Sequence, residues 1–374
     1  MKLLIVIGTR PEAIKMISVI QSLKKDKFVK VSVCSTGQHK EMLDDVLKKF
    51  KIKIQYNLNL MKKNQSLSYI TEGVINGLTK IIERTKPEIV IVHGDTISSF
   101  AASVAAYYNM IPIAHVESGL RTNSIYSPWP EEGSRRIIDT ISSFHFCPTI
   151  LSKKALIREG VSKKNIFVTG NTVLDALFLS RALIKKDNIL NNRLKNKFDY
   201  LSSKRKIVLV TAHRRENFGE PFKNICAALI NIAKKYKNLD IVYPIHSNPN
   251  IKIPGKKYLS NISNIYLIEP IDYFSFIYLM EKCYVIITDS GGIQEEAPSF
   301  KKPVLILREE TERIEVIKTK AAKLVGTDQK KIVREFDRII KSKKVYEAFT
   351  KKSNPYGDGK ASERIAKTLK NFFK

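Results

Sequence analysis

Short apolar runs rich in β-branched residues alternate with amphipathic helical stretches along most of the chain, and this alternation constrains the fold more than any other feature. Strands joined by helical crossovers lie parallel, so the pattern predicts an α/β protein with parallel sheets wound by helices. The runs place strands at 2–7, 30–35, 88–93, 111–116, 144–147 and 166–169. The same rhythm restarts at 206–210 and continues through 240–244, 264–268, 284–288, 303–307 and 323–325. Between the two series lies 185–205, rich in Asn and Lys and poor in periodic apolar residues, which reads as a linker with a domain boundary just before or within it. With 374 residues and about 150 per domain, the chain is expected to form two doubly wound Rossmann-like domains facing across a cleft. Such sheets bind ligands beyond the carboxyl ends of their strands, so functional residues are sought just after each strand.

Composition narrows the class. Hydrophobic residues make up 43% and charged residues 27%, enough apolar material for a core in each domain and too much for disorder. No apolar stretch reaches the roughly 18 to 20 residues that span a bilayer. The first run stops at Arg10, too short for a secretory leader, so it reads as a buried strand; the expected location is the cytoplasm, with no membrane partner. Cys34, Cys147, Cys226 and Cys283 lie far apart in apolar surroundings, and they read as reduced core residues rather than zinc ligands or disulfides. Lys plus Arg number 65 against 36 Asp plus Glu, a net charge of +29. The lysines are dispersed on polar faces without interleaved stacking aromatics. That points to solvated helices and attraction of an anionic substrate, and away from nucleic acid.

After the first strand, Gly8-Thr9-Arg10-Pro11-Glu12 carries the signals of a helix start: Thr9 and Glu12 suit a capping box and Pro11 a first turn. Exposed N–H groups beside Arg10 and Lys15 suit a phosphate, and a plain capped helix fits equally. No Gly-x-Gly-x-x-Gly follows any strand, which argues against NAD. The third and fourth strands end in His93-Gly94-Asp95 and His115-Val116-Glu117, each with a His and a carboxylate two apart and so on one face of an extended strand. That pattern suits a metal-dependent hydrolase, but no further ligand cluster accompanies it and core histidines are the simpler reading; no metal is expected. Glu131 and Glu132 open a helix running through Ile137, Ile138 and Ile141, and the helix dipole accounts for one of the two acids. Asp95, Glu117 and Glu131 together look like acid–base machinery. In the second half, His213-Arg214-Arg215-Glu216-Asn217 follows the first strand. Asp289-Ser290-Gly291-Gly292 follows the fourth and opens a helix, a turn able to wrap a pyrophosphate, with Glu296 one turn on to take ribose hydroxyls. Arg313, after the next strand, adds a cation near the same edge.

These segments, with Val168-Thr169-Gly170-Asn171-Thr172 and the terminal Asn354-Pro355-Tyr356-Gly357-Asp358-Gly359, closely resemble the non-hydrolysing UDP-N-acetylglucosamine 2-epimerases over essentially the whole chain. The resemblance implies a glycosyltransferase-B type fold, with an N-terminal domain at 1–172, a UDP-binding domain at 173–353 and a final helix at 354–374 crossing back onto the first. It also implies interconversion of UDP-GlcNAc and UDP-ManNAc by anti elimination of UDP to 2-acetamidoglucal and readdition, with no cofactor or metal, in a homodimer that supplies precursors for surface polysaccharide. By position, Asp95, Glu117, Glu131 and His213 match the catalytic groups, with Glu117 or Asp95 transferring the C2 proton and Glu131 assisting. Arg10, Lys15, Arg135, Phe276, Ser290, Gly291, Gly292, Glu296 and Arg313 match substrate contacts. Gln38, His39, Gln65 and His246 stand in segments similar to those lining an allosteric UDP-GlcNAc pocket in some relatives. Ser134, Ile314 and Ala212 stand where the family commonly has Asn, Pro and Gly. A related UDP-2-acetamido sugar as substrate, or a glycosyltransferase of the same fold, are the alternative readings.

Overall fold

The computed structural model describes residues 1–37, 47–62, 65–122, 124–201 and 204–372. Its strands are β1 Lys2–Ile7, β2 Lys30–Ser35, β3 Tyr56–Asn57, β4 Ile89–His93, β5 Ile113–Val116, β6 Phe144–Cys147, β7 Ile166–Val168, β8 Lys206–Thr211, β9 Leu239–Pro244, β10 Ile265–Ile268, β11 Val285–Thr288, β12 Val304–Ile306 and β13 Ala322–Leu324. They form a 7-stranded sheet in the order β3-β2-β1-β4-β5-β6-β7 and a 6-stranded sheet in the order β10-β9-β8-β11-β12-β13. All the pairings within them are parallel. In each sheet the order reverses around the first strand of its series, so β1 lies between β2 and β4 and β8 between β9 and β11. The loops after these strands border the crevice that a topological switch point leaves open.

The chain divides into two compact units, Met1–Ala176 with Tyr356–Lys374, and Leu177–Pro355. In the first, β1 and β4 are apolar almost throughout, as strands covered on both faces must be. Ile70, Val74 and Leu78 recur every four residues along the helix Leu67–Thr85 and pack with Ala101, Ala102 and Ala105 against Leu4, Val6, Val90 and Val92. Ser66 starts that helix by accepting the Tyr69 N–H at 3.1 Å. The terminal helix Ala361–Phe372 belongs to this unit: Asp175 accepts the N–H groups of Ala361 at 3.1 Å and Ser362 at 2.8 Å and the Ser362 hydroxyl at 2.6 Å. Burial pushes the Asp175 carboxyl above its ordinary value, against these hydrogen bonds. In the second unit, Phe222, Ile225, Leu229 and Ile232 of the helix Glu220–Lys235 pack with Ile332, Phe336 and Ile339 of Gln329–Lys341 around Val208, Val210, Ile241 and Tyr243.

Two expectations need correction. The segment 185–205 is no irregular linker: one helix continues to Lys186 and another, Asn188–Lys197, begins at an Asp187 cap and buries Leu190 and Leu194. The compact units part inside the earlier helix, between Ala176 and Leu177. β3 was not expected, because a strand of 2 residues carries no alternation to read; it forms by pairing Tyr56 and Asn57 with Cys34 and Ser35. The four cysteines are buried and unbridged, and burial pushes the Cys34, Cys226 and Cys283 thiols up to about 12. Among the described residues, no helix is long and apolar enough to cross a membrane.

Candidate active site

In the first unit the polar groups gather where β1, β4, β5 and β7 end. Glu12, 2% exposed, accepts the N–H groups of Gly8 and Thr9 at 3.0 and 2.6 Å. It also accepts the hydroxyls of Thr96 and Ser99 at 2.6 and 2.7 Å, so the start of the helix Arg10–Lys24 is tied to the loop after β4. That helix brings Lys15 onto the Glu117 carboxylate, which also accepts from Asn171 Nδ2 at 3.1 Å and lies 3.6 Å from His93 Nε2. Arg10, partly exposed at the helix start, has no polar side-chain partner among the described residues. Asp95, past β4, binds Arg135, whose Nε–H donates to Oδ2 at 3.1 Å.

The two acids opening the helix Glu131–Ile141 divide cleanly. Glu132, fully buried, holds Arg135 and Arg136 at 2.9 and 2.8 Å and accepts the Thr122 N–H at 3.1 Å. Glu131 has a buried Oε2 with no partner. Glu132 is thus tied up by the two arginines and the Thr122 backbone, while one Glu131 oxygen is not.

The expected pairing of each His with the carboxylate two residues on is not what forms. Glu117 has φ +68 and Gly94 φ +67, so both loops leave the extended conformation and strand alternation no longer sets the side-chain face. The Glu117 carboxylate comes to His93 of the neighbouring strand, while His115 binds Asp139 at 2.6 Å and the Gly94 carbonyl at 2.7 Å as a core histidine. Burial holds His93 at about 4, against the attraction of Glu117, so its ring is neutral at pH 7. Among the described residues, no group of three His, Cys, Asp or Glu is arranged to hold a metal ion. Of the isoleucines on the helix Glu131–Ile141, Ile138 is fully buried and Ile137 is 46% exposed.

In the second unit Asp289, fully buried at the end of β11, fixes the loop after β8. Its Oδ2 accepts the N–H groups of His213 and Arg214 at 2.7 and 2.8 Å and Asn217 Nδ2 at 3.0 Å. Its Oδ1 has no hydrogen-bond partner and lies 3.4 Å from His213 Nδ1. The His213 side chain is 36% exposed and stacks on His246 at 5.5 Å. Burial lowers the His213 pKa, against the pull of Asp289. Ser290 stands just before the short helix Gly291–Glu296, whose Gly292 faces open space where a side chain would stand. Glu296 accepts the Tyr273 hydroxyl at 3.3 Å, and Phe276 lies half-buried on the same helix as Tyr273.

Arg313 stands beside this turn, its guanidinium 3.0 Å from where a Gly291 Cβ would be. Its charge is shared with Glu295 at 3.1 Å and with Glu312, which it holds at about 2 against the opposing effect of burial. Gln65, in the first unit, accepts the Lys62 N–H at 3.2 Å. Gln38 and His39 lie outside the described residues. Sequence reasoning gave no role to Asn171 or Asp289; each stands inside a strand-end motif, which was the available signal.

Carboxylates and a lysine at the strand ends of one parallel sheet, and an anion-ready turn with a histidine loop at those of the other, define a two-unit α/β enzyme suited to a phosphorylated substrate. A family model described as UDP-N-acetylglucosamine 2-epimerase matches residues 21–370. The chain is 47% identical over 371 residues to the UDP-N-acetylglucosamine 2-epimerase of Escherichia coli strain K12, covering 99% of each. It is 50% identical to that of Campylobacter jejuni, covering 98% of this chain and 97% of the other. The crystal structure of the Neisseria meningitidis enzyme bound to UDP-GlcNAc superposes with a TM-score of 0.94 at 48% identity, covering 99% of this chain and 100% of that one. The chain belongs to the UDP-N-acetylglucosamine 2-epimerase family and is an isomerase of nucleotide sugars.

Proposed function

We propose that the chain interconverts UDP-GlcNAc and UDP-ManNAc by anti elimination of UDP across C1 and C2, giving 2-acetamidoglucal, followed by readdition. Inversion at C2 requires the proton to leave one face of the carbon and return to the other, which one fixed acid–base group cannot do. The observation that carries this reading is the unequal setting of the first unit's carboxylates. Glu117 is paired with Lys15 and Asn171, and Asp95 with Arg135, whereas Glu131 keeps a buried oxygen without a partner. Glu117 or Asp95 takes the C2 proton, and Glu131 serves the second transfer.

Departure of UDP builds positive charge at C1, which makes the C2 proton removable. Arg10 and Lys15 offer charge to the sugar and its diphosphate, and Ser290, Gly291 and Gly292 offer backbone N–H groups. Glu296 takes the ribose hydroxyls, and Phe276 and Arg313 wall the nucleotide. Burial lowers the His213 pKa; once protonated, with Nδ1 3.4 Å from Asp289, the ring offers its Nε2–H to the departing diphosphate. The Neisseria meningitidis relative bound to UDP-GlcNAc supports this choice of substrate. A homodimer belongs to the same reading, supported by the exposed Tyr107, Tyr108 and Met110 at one helix end. Incubating the protein with UDP-GlcNAc alone and following the anomeric protons by NMR tests the assignment. UDP-ManNAc should appear, and Glu117→Gln, Asp95→Asn and Glu131→Gln should each slow it by about 100-fold or more. Turnover of a diacetamido or deoxy UDP-sugar in preference to UDP-GlcNAc would move the assignment to that substrate.

A further inference from the structure

Behind the carboxylate loops of the first unit, the helix Glu131–Ile141 buries Asp139. Its Oδ1 accepts from His115 Nδ1 at 2.6 Å and from the Ser118 hydroxyl at 2.5 Å. Its Oδ2 accepts from the Gly119 N–H at 3.2 Å and from Arg121 at 2.8 Å. One carboxylate thus collects donors from residues on both sides of Glu117. Burial works against its charge, but His115, His145 and Arg121 outweigh burial and hold the Asp139 carboxyl well below its ordinary value.

His115, fully buried in β5, extends the connection: its Nε2 lies 2.7 Å from the carbonyl of Gly94, the residue before Asp95. With Asp139 on one ring nitrogen and the Gly94 carbonyl on the other, the ring bridges the Asp95 loop to the acid behind Glu117. Glu117 itself sits at φ +68, a left-handed conformation that a side-chain-bearing residue keeps only where its surroundings over-determine it. Gly119 is confined as well, at φ +85 with the Ser152 carbonyl 2.5 Å from where a Cβ would stand. That left-handed position carries one of the two carboxylates assigned to the C2 proton, and His115, Ser118 and Gly119 around it converge on Asp139.

We propose that Asp139 and His115 are positioning residues for the epimerisation: without touching the substrate, they fix the Glu117 and Asp95 carboxylates relative to each other. The proposal rests on the assignment of those two carboxylates made above. A displacement of about 1 Å in a reacting group costs on the order of 100-fold in rate, so loosening this pair should appear in kcat while binding is spared.

The pair can be cut on either side. His115→Asn keeps a donor near Nδ1 for Asp139 and loses the link to Gly94; His115→Gln keeps a donor near Nε2 and loses Asp139. Ser118→Ala removes one Asp139 donor and no charge, and serves where a His115 variant folds poorly. Each variant is assayed for kcat, KM for UDP-GlcNAc, UDP affinity and melting temperature, with Glu117→Gln and Asp95→Asn alongside. Positioning predicts kcat lowered about 10- to 100-fold in both His115 variants and about 3- to 10-fold in Ser118→Ala, with KM and UDP affinity within about twofold. A lowered melting temperature with unchanged kcat per folded molecule would overturn the proposal. If Glu117→Gln and Asp95→Asn keep wild-type turnover, the assignment of the carboxylates has failed instead, whatever the His115 variants do.

Discussion

Replacing His213 by alanine separates two roles that the sequence alone leaves tangled, an electrostatic partner for the departing diphosphate and a pin for the loop 213–217. The loop is held by its backbone: the N–H groups of His213 and Arg214, with Asn217 Nδ2, bind Asp289, and none of these bonds uses the imidazole. The ring contributes a stack on His246 at 5.5 Å and a 3.4 Å approach to Asp289 Oδ1, in a side chain 36% exposed. A half-exposed ring stack is worth about 1 kcal/mol. In a unit of this size each kcal/mol moves the melting temperature by about 2–4 °C, so His213→Ala should melt within about 4 °C of wild type. Loss of one group that stabilises the leaving diphosphate costs about 100-fold in kcat, or about 2.7 kcal/mol of barrier. Asp289→Ala is the reference for a loop that has lost its pin: three donors lose a buried acceptor, about 3 kcal/mol or more, and melting falls by roughly 6–12 °C. The assays are NMR turnover of UDP-GlcNAc and thermal melting on the same preparations. A His213→Ala protein that melts like Asp289→Ala and retains most of its turnover would refute the electrostatic role.

Further outcomes follow from the same geometry. Because burial holds His93 at about 4, the unfolded chain binds more protons than the folded one between pH 6.5 and 4; stability should therefore fall by about 3 kcal/mol as pH drops through that window, and His93→Gln should flatten the loss in chemical denaturation. Asp175→Ala removes the cap of the terminal helix and should cost about 1–2 kcal/mol, read as faster limited proteolysis near the C-terminus. Exhaustive EDTA treatment should leave turnover unchanged; loss of activity restored by a divalent cation would favour a metal-dependent reaction.

The alternation of strands and helices was legible because both sheets are parallel and buried, so β4 and β11 are apolar up to their last residues, His93 and Thr288. Two places were not. The helix Asn188–Lys197 is anchored by Leu190 and Leu194 alone, too few apolar residues to stand out from its Asn and Lys. The crossed partners of His93 and His115 follow from left-handed residues at the strand ends, which a period of two cannot foresee. The three acids were visible at strand and helix ends, but their inequality was not, since it depends on Lys15, Asn171 and Arg135 arriving from other elements. Asp139 left a trace that was readable in principle: Glu132, Arg135 and Asp139 recur at helical spacing and are all buried, a polar stripe on the inner face of an α-helix.

Proton exchange at C2 tests the central claim most directly. With UDP-GlcNAc in deuterium oxide, deuterium should enter C2 of both epimers as UDP-ManNAc accumulates, because the C2–H bond is broken against a carboxylate that exchanges with water. Epimerisation with protium fully retained at C2, or conversion of the sugar without epimerisation, would contradict the account.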